Sequence, residues 1–358
     1  MRRAFVFALL IGCGTSNNNS GDGNANGGGD GGGGDMPGQG CPPGGMQKML
    51  LGGLTQASCG PRLAADGTNV YVLGKQSGMS SILAIPKAGG NAATLATSAF
   101  PICDFAVDAT SVYWTTGIYD EVKRAPLTPG AEQTLTNVQT PDTDFYDLAV
   151  DGTSVYWTSR SSALYPIQFA PLIGGAPMKL TTPELLSGFV LVGGNFVGAD
   201  PGPPADPMAC AQGICNYPSG RIISVATTGG TANQLYGNVR NLAPSPTAVR
   251  AFITDGSDLY WLQSATVDMN IHRNGDGQVM RAPAAGGAAP VSLGTGFNQP
   301  IGLAVDDAHA YFTADMHVWR VAKTGGTLVS IADGTGALAV DGDSVYWFDG
   351  TQVMRACK

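Results

Sequence analysis

Short apolar runs alternate with turn-forming residues along most of the chain. In Leu148–Trp157 the run Leu-Ala-Val is followed by Asp-Gly-Thr-Ser and then by Val-Tyr-Trp. The apolar runs are too short for helices, and the Asp-Gly turn between them favours the positive φ of a tight hairpin. A second run rich in β-branched and aromatic residues is typical of a strand. The pattern therefore predicts many short β-strands joined by tight turns.

This hairpin pattern occurs seven times, the fourth copy being degenerate, at 63–72, 105–114, 148–157, 190–197, 251–261, 303–312 and 338–347. The aspartates of the first three copies, Asp66, Asp108 and Asp151, are 42 and 43 residues apart. Most copies continue into a third apolar run, such as 122–127, and a short fourth one, such as 134–135. A period of about 40–45 residues with four strands per unit is the sequence signature of a β-propeller.

The two ends of the repeat region predict how the ring closes. The last copy ends just after its third run, 353–356, and so lacks a fourth strand, whereas a spare apolar run lies at 47–51. Pairing these two runs leaves no long open sheet edge. We therefore predict an all-β fold, a seven-bladed β-propeller spanning residues 46–358 and closed by an N-terminal strand.

The repeated polar and aromatic residues are interpreted as structural. Asp and Ser of the turn bond the local backbone, and the aromatic residues of the second strand pack between blades. Arginines recur at matching third-strand positions, which favours a repeat feature over a site; they are Arg124, Arg281, Arg320 and Arg355.

The amino terminus has the pattern of an export signal. Met1-Arg2-Arg3 is followed by an apolar run, 4–11, which is too short to span a bilayer. The run ends in Leu10-Ile11-Gly12-Cys13, which resembles the lipobox of bacterial lipoproteins. That resemblance implies a signal peptide at 1–12 and acylation of Cys13; the alternative is an ordinary signal peptide with an incidental cysteine. Residues 13–45 then comprise the lipidated cysteine and a tether that is rich in Gly, Asn and Asp.

Six further cysteines are expected to form disulfides, because the chain is predicted to be exported. The closure of the ring predicts a Cys41–Cys357 bridge. Cys59 and Cys103 lie at similar offsets before adjacent innermost strands, so we pair them, and Cys210 with Cys215 follows by elimination. A metal site is disfavoured, since no Cys-x-x-Cys pair occurs and His272, His309 and His317 are not at ligand spacing.

Two long connections mark a candidate binding site. They lie at 200–220 and 263–277, between second and third strands of the fourth and fifth blades, and are therefore expected on one face. Neutral variation of loops is the alternative. The candidate binding residues are Asp268, Asn270, His272, Asn274 and Asp276. Their oxygens invite a calcium interpretation, but the spacing does not fit the helix–loop–helix calcium pattern, so no cofactor is expected.

Charge and motifs narrow the function further. The net charge of −8 and the lack of a basic stripe exclude a nucleic-acid partner. No Gly-x-Ser-x-Gly nucleophile motif and no pair of histidines at metal-ligand spacing is present. We expect a non-enzymatic binding module. The alternative is a lyase or hydrolase at the channel mouth, with His272 or His309 close to a carboxylate.

The Leu-Ala-Val-Asp-Gly-x-x-Val-Tyr-Trp repeat, together with the lipobox, resembles the propeller lipoproteins of myxobacteria and related bacteria. More distantly it is similar to propellers of the virginiamycin lyase and TolB types, but no catalytic or partner motif of either has a match here. The resemblance implies a propeller anchored by lipid in the cell envelope, and it does not specify a function. We expect a monomer with a protein or glycan as ligand. Gly14 in place of Asp favours the outer membrane.

Overall fold

The computed structural model describes residues 48–116, 121–128, 130–137, 145–159, 167–180, 188–200, 202–203, 205, 208, 216–241, 252–269 and 272–358. The described part folds into four-stranded antiparallel sheets, the seven blades of a ring. The predicted signal peptide, Cys13 and the tether lie outside the described residues. No helix in the described ranges is long and apolar enough to cross a membrane.

The strands follow the repeats. After β1 (Lys48–Leu51), blades 1 to 4 consist of β2 (Arg62–Ala65), β3 (Asn69–Gln76), β4 (Met79–Pro86) and β5 (Ala93–Ser98); β6 (Ile102–Val107), β7 (Ser111–Thr116), β8 (Glu121–Pro126) and β9 (Gln133–Asn137); β10 (Phe145–Val150), β11 (Ser154–Ser159), β12 (Ile167–Pro171) and β13 (Met178–Lys179); β14 (Phe189–Val192), β15 (Asn195–Asp200), β16 (Gly220–Ala226) and β17 (Asn233–Val239). Blades 5 to 7 consist of β18 (Phe252–Thr254), β19 (Asp258–Gln263), β20 (Gly277–Pro283) and β21 (Val291–Phe297); β22 (Pro300–Val305), β23 (His309–Ala314), β24 (His317–Ala322) and β25 (Val329–Asp333); β26 (Ala337–Val340), β27 (Ser344–Phe348) and β28 (Val353–Cys357).

The predicted closure is confirmed. Strand β1 pairs antiparallel with β28 and completes blade 7, with Met49 opposite Met354. The first and last strands of the propeller thus share one sheet, so no blade is left with an open third strand.

The core lies between the blades. The tryptophans of the second strands, Trp114, Trp157, Trp261 and Trp347, are fully buried. One apolar cluster joins Tyr71 of blade 1 to Trp114 of blade 2, and another joins Val72 of blade 1 to Tyr346 of blade 7. The aromatic residues therefore pack between neighbouring blades, as predicted.

An aspartate organises the hairpin turn in six of the seven blades. In blade 6, one carboxylate oxygen of Asp306 accepts the backbone N–H groups of Ala308 and His309 at 2.9 and 2.7 Å. The other oxygen accepts the hydroxyl of Tyr311, five residues on, at 2.8 Å. The same tyrosine bond occurs in five other blades, at Asp66–Tyr71, Asp108–Tyr113, Asp151–Tyr156, Asp255–Tyr260 and Asp341–Tyr346. The turn role of the aspartates was predicted, but their bond to the tyrosine was not.

Blade 4 shows that the aspartate and the tyrosine depend on each other. Its hairpin has a two-residue turn, Gly193-Gly194, with φ of 56° and 81°. Where other blades place the tyrosine, blade 4 has Phe196, opposite Leu191. Without a carboxylate at the turn, a buried hydroxyl would have lost its acceptor, which is costly. Blade 4 lacks both the aspartate and the tyrosine, and this paired absence in the sequence is the signal from which the aspartate–tyrosine hydrogen bond could have been inferred.

Lysines connect these aspartates across blade interfaces. Each lysine follows the third strand of one blade and contacts the turn aspartate of the preceding blade, in the pairs Lys323–Asp255 at 2.7 Å, Lys358–Asp306 at 2.6 Å and Lys87–Asp341 at 2.6 Å. Each ammonium also lies over the ring of the partner tyrosine, 5.1–5.5 Å from its centre. Blades 5, 6, 7 and 1, which flank the closure, are therefore joined by ion pairs.

Two other predicted features are confirmed. The Cys59–Cys103 disulfide joins the segment before blade 1 to blade 2, with its Cα atoms 4.9 Å apart, although Cys103 lies inside β6 and not before it. The repeated arginines are opposite the repeated tyrosines, and two of them donate to a backbone carbonyl of the next blade: Arg124 to Leu172 and Arg281 to Lys323. They are structural elements of the repeat.

The turn aspartates predict a loss of stability in acid. Burial opposes ionisation of Asp306, but hydrogen bonds from Lys358, the backbone and Tyr311 outweigh it and lower its pKa to about 2. A carboxyl whose pKa is lower in the folded than in the unfolded protein stabilises the folded state at pH values above its unfolded pKa, which is near 4. That contribution, about 2 kcal/mol for Asp306, is lost as the pH falls from about 4 to 2.

Asp306→Asn should therefore destabilise the protein at pH 7 by about 2 kcal/mol and flatten the loss of stability between pH 4 and 2. The control is Asp307→Asn, at the exposed neighbouring position of the same turn. Urea unfolding at several pH values measures both effects. Equal pH dependence of the two variants would contradict this role of Asp306.

Candidate functional site

The ring has two faces with different connections. Turns from first to second strands lie on one face together with the lysine–aspartate pairs. Connections from second to third strands and between blades lie on the opposite face, which we call the insertion face. Two of the second-to-third connections are long: 201–219 between β15 and β16, and 264–276 between β19 and β20. The shortest second-to-third connections are two-residue turns, such as Ser77–Gly78 in blade 1 and Asp315–Met316 in blade 6.

The two insertions contact each other directly. The side-chain amide of Asn216 donates to the carbonyl of Val267 at 2.8 Å, and its oxygen accepts the backbone N–H of Val267 at 2.9 Å. An asparagine amide is therefore used as a strand-like bridge between loops of neighbouring blades. The prediction that both insertions share one face is borne out by this contact.

Asn241, in the connection after blade 4, fixes both insertions to the scaffold. Its side-chain oxygen accepts the N–H of Tyr217 at 2.8 Å, and its amide donates to the carbonyl of Ser264 at 3.2 Å. Its own N–H and carbonyl bond the same two residues. The residue is 3% exposed and has φ of 47°, which asparagine tolerates better than most residues.

The second insertion is held internally by Asp276. Its carboxylate accepts the N–H of Thr266 at 2.7 Å and pairs with Arg240 at 2.9 Å. Burial opposes ionisation, but the bonds from Thr266 and the charge of Arg240 lower its pKa. Asn274 donates to the hydroxyl of Thr266 at 2.8 Å. At the base of the insertion, a Cβ on Gly277 would lie 2.5 Å from the carbonyl oxygen of Phe297, so only glycine fits.

The tip of the second insertion is a small hairpin. The carboxylate of Asp268 accepts the N–H of His272 at 2.9 Å, and the imidazole Nδ1 lies 3.5 Å from the same carboxylate. The His272 side chain is 77% exposed.

The structure therefore separates the predicted binding residues into two groups. Asp276 and Asn274 organise the loop, whereas Asp268 and His272 form its exposed tip. Asn270 lies outside the described residues, as do Cys13, Cys41, Cys210 and Cys215. Cys357 takes part in a disulfide whose partner also lies outside them, and its pairing with Cys41 remains a prediction. Within the described ranges, no three His, Cys, Asp or Glu side chains are grouped as a metal site.

The histidines lie in three different places. His272 is on the insertion face, whereas His309 begins β23 at the opposite face, with Nδ1 4.0 Å from Asp306. That carboxylate is already bonded to Lys358 and Tyr311. His317 lies 3.0 Å from Asp333 of the outermost strand β25. None of them lines the cavity at the centre of the ring.

A charged pair at the channel was not anticipated from the sequence. Arg62 of blade 1 lies 3.3 Å from Asp104 of blade 2, and Asp104 accepts the N–H of Leu148 of blade 3 at 2.9 Å. Both side chains are under 10% exposed. Arg62 also lines a central cavity of about 220 Å³, whose other walls include Leu63, Ile253, Leu303 and Leu338. The sequence does contain a signal for this pair, because Arg62 and Asp104 are charged residues that each stand directly before the innermost apolar run of their repeat.

Comparison with known proteins supports the fold and nothing narrower. No protein-family model matches the chain, and no curated protein does. Among solved structures, a puromycin-hydrolysing peptidase of Mycobacterium tuberculosis is similar with a TM-score of 0.60 and 14% identity, over 86% of this chain and 54% of that one. PorZ, a surface component of the type-IX secretion system of Porphyromonas gingivalis, has a TM-score of 0.55 and 12% identity, over 88% of this chain and 39% of that one.

The β-propeller domain of the Trilobed protease from Pyrococcus furiosus matches with a TM-score of 0.56 and 12% identity, over 83% of this chain and 92% of that one. That domain is described as having an open velcro topology, whereas β1 closes the ring here. At these identities the likeness shows the fold alone. The chain is thus a seven-bladed β-propeller in which two insertions on one face are hydrogen-bonded to each other.

The contacts of Asn241 predict that one side chain holds both insertions. Asn241→Gly preserves the positive φ and the backbone bonds to Tyr217 and Ser264, but it removes the side-chain bonds to the Tyr217 N–H and the Ser264 carbonyl. It should cost about 1–3 kcal/mol and increase hydrogen exchange at the Tyr217 amide. The control is Asn274→Ala, which removes a bond at an exposed position. If exchange at the Tyr217 amide is unchanged in Asn241→Gly, the role assigned to Asn241 is wrong.

Proposed function

We propose that this protein is an exported, lipid-anchored propeller that acts as a non-enzymatic binding module and engages a macromolecular ligand, a protein or a glycan, through the insertion face. The observation that carries the proposal is the mutual bonding of the two insertions through Asn216, Val267 and Asn241. Loops that vary neutrally on separate blades have no need of a shared buried asparagine. Loops held rigidly by a scaffold are the usual place for binding residues.

A lyase or hydrolase at the channel mouth has less support. General acid–base chemistry needs a titratable pair within reach of a substrate cavity. The described residues place His272 at an exposed tip and His309 on the opposite face. The cavity at the channel is lined by Arg62 and apolar side chains, and Arg62 is paired with Asp104.

The proposed anchor rests on the amino-terminal sequence. The basic Arg2-Arg3 pair, the apolar run and Cys13 supply the signal and the acylation site, and the Gly-rich segment after them supplies a flexible spacer. The N-terminal strand β1 begins at residue 48, so the propeller follows the tether directly.

Cys13→Ala should move the protein from the membrane fraction to the soluble fraction of a bacterial host and abolish incorporation of labelled palmitate, because the acyl chains supply the membrane affinity. The control Thr15→Ala should stay in the membrane fraction. A Cys13→Ala protein that keeps its label and its membrane location would contradict the proposed anchor.

The insertion face is tested by removing one insertion without disturbing its blade. Residues 202–218 can be replaced by a short Gly-Ser link, since the pair Asp200–Arg221 closes the hairpin below them. Envelope proteins and glycans retained by the wild type should be lost from this variant, while its thermal unfolding midpoint stays within a few degrees.

The matched control is Ser77→Asn, which alters a two-residue turn of the same face on the far side of the ring and should retain the ligand. Unchanged retention by the variant that lacks 202–218 would rule out this face.

A further inference from the structure

We propose that the insertion face binds a protein segment that presents apolar side chains flanked by Lys or Arg, and that Met316, Met269 and Met208 form the surface it contacts. We call these three residues the methionine rim. The inference rests on the proposed function and names the class of ligand.

The rim follows three consecutive blades. Met208, Met269 and Met316 belong to the second-to-third connections of blades 4, 5 and 6 and are 76%, 80% and 66% exposed. The connections of blades 4 and 5 are joined by Asn216 and Val267. In blade 6, Asp315 accepts the N–H of Asn298, in the segment between blades 5 and 6, at 3.1 Å. The three exposed methionines therefore belong to equivalent connections of three consecutive blades on one face.

Met316 has a backbone conformation that does not suit it. Asp315 and Met316 form the two-residue turn between β23 and β24, with φ of 50° and 68°. The equivalent turn of blade 1 is Ser77-Gly78, with φ of 50° and 82°. Glycine adopts this conformation without strain, whereas a residue with a Cβ is destabilised by it. Gly78 in blade 1 therefore shows that glycine is the residue best suited to the position of Met316.

The neighbours of Met316 do not account for its side chain. Asp315 caps the backbone of Asn298 and Gln299, which explains a carboxylate at the first turn position. The carbonyl of Met316 accepts the N–H of Gly334 at 2.8 Å, but glycine could supply that bond equally well. Strain kept at an exposed position is a reason to look for a function of the side chain.

The chemistry of the rim favours protein over glycan. Thioether side chains are apolar and flexible, adapt to varied apolar partners and have no hydrogen-bond donor. The aromatic side chains whose burial the structure describes are buried or half-buried, so none of these offers an exposed stacking surface. The net charge of −8 attracts a segment that carries basic residues.

The probe is a fluorescein-labelled amphipathic peptide of about 14 residues made only of Leu and Lys, compared with peptides in which Ser replaces Leu or Glu replaces Lys. The full chain should bind the Leu–Lys peptide and bind both counterparts more weakly. Met316→Gly should weaken the binding about tenfold, because one buried methionine contact is lost. Its thermal unfolding midpoint should nevertheless rise by about 2 °C, since the turn is relieved of strain.

Met269→Ser tests a second position of the methionine rim and should also weaken the binding of the Leu–Lys peptide. The matched control is Met178→Ser, which changes an exposed methionine on the outer strand β13, away from the insertion face. It should leave the affinity within twofold of the wild type. A fall in affinity without a fall in stability distinguishes loss of contact from misfolding.

Several outcomes would overturn the proposal. They are no binding of the Leu–Lys peptide, equal binding of the Ser counterpart, or equal affinity of wild type and Met316→Gly. Binding to phosphatidylcholine vesicles that depends on Met316, without peptide binding, would assign the rim to lipid instead. If the Leu–Lys peptide does not bind but retention of envelope ligands still requires residues 202–218, the methionine rim is not the contact surface and the insertion face remains the proposed site. If neither result is obtained, the proposed function is wrong as well.

Discussion

The regularity of the ring depends on the hydrogen bonds of the turn carboxylate that six of the seven blades share. In Asp306 one oxygen closes the turn through two backbone N–H groups, and the other receives Tyr311 from the second strand and Lys358 from the next blade. A single half-buried charge thus links the turn, the packing surface of its blade and the neighbouring blade. Burial of a carboxylate is unfavourable unless it is fully bonded, and here its partners lie on three different elements.

Blade 4 shows what happens without this group. Its turn is shortened to two glycines, and its tyrosine is replaced by Phe196. The same blade carries the longer of the two insertions. The ring tolerates this because the adjacent interface is filled by apolar contacts among Phe196, Phe189 and Tyr156. The other six blades thus keep the aspartate–tyrosine hydrogen bond, whereas blade 4 lacks it and carries the longer insertion.

The insertion face follows a different principle from the opposite face. There the hydrogen-bonding residues, Asn216, Asn241 and Asp276, each occur once and do not belong to the repeat. They fix loops to each other and to the scaffold, whereas the repeated aspartates organise the hairpin turns, and three of them also pair with a lysine of the next blade. Met316 adds an apolar side chain in a strained turn beside this region. A scaffold stabilised by its repeated bonds can accommodate such a local cost.

The sequence by itself determined the strands, the number of blades and the closure of the ring. These follow from apolar periodicity and turn chemistry, which are local properties repeated seven times, so one degenerate copy does not obscure them. The Cys59–Cys103 bridge was predictable for the same reason, since similar offsets in adjacent repeats place residues at neighbouring points.

The sequence did not determine which charges meet. Lys87 and Asp341 are 254 residues apart and become neighbours only because the last blade lies beside the first. Arg62 and Asp104 appeared as isolated charges before apolar runs until the ring brought them to one channel. The junction of Asn216 with Val267 likewise depends on the shapes of two irregular loops that have no periodicity. Tertiary structure decided these contacts, because a hydrogen bond depends on ångström-scale positions that no local pattern encodes.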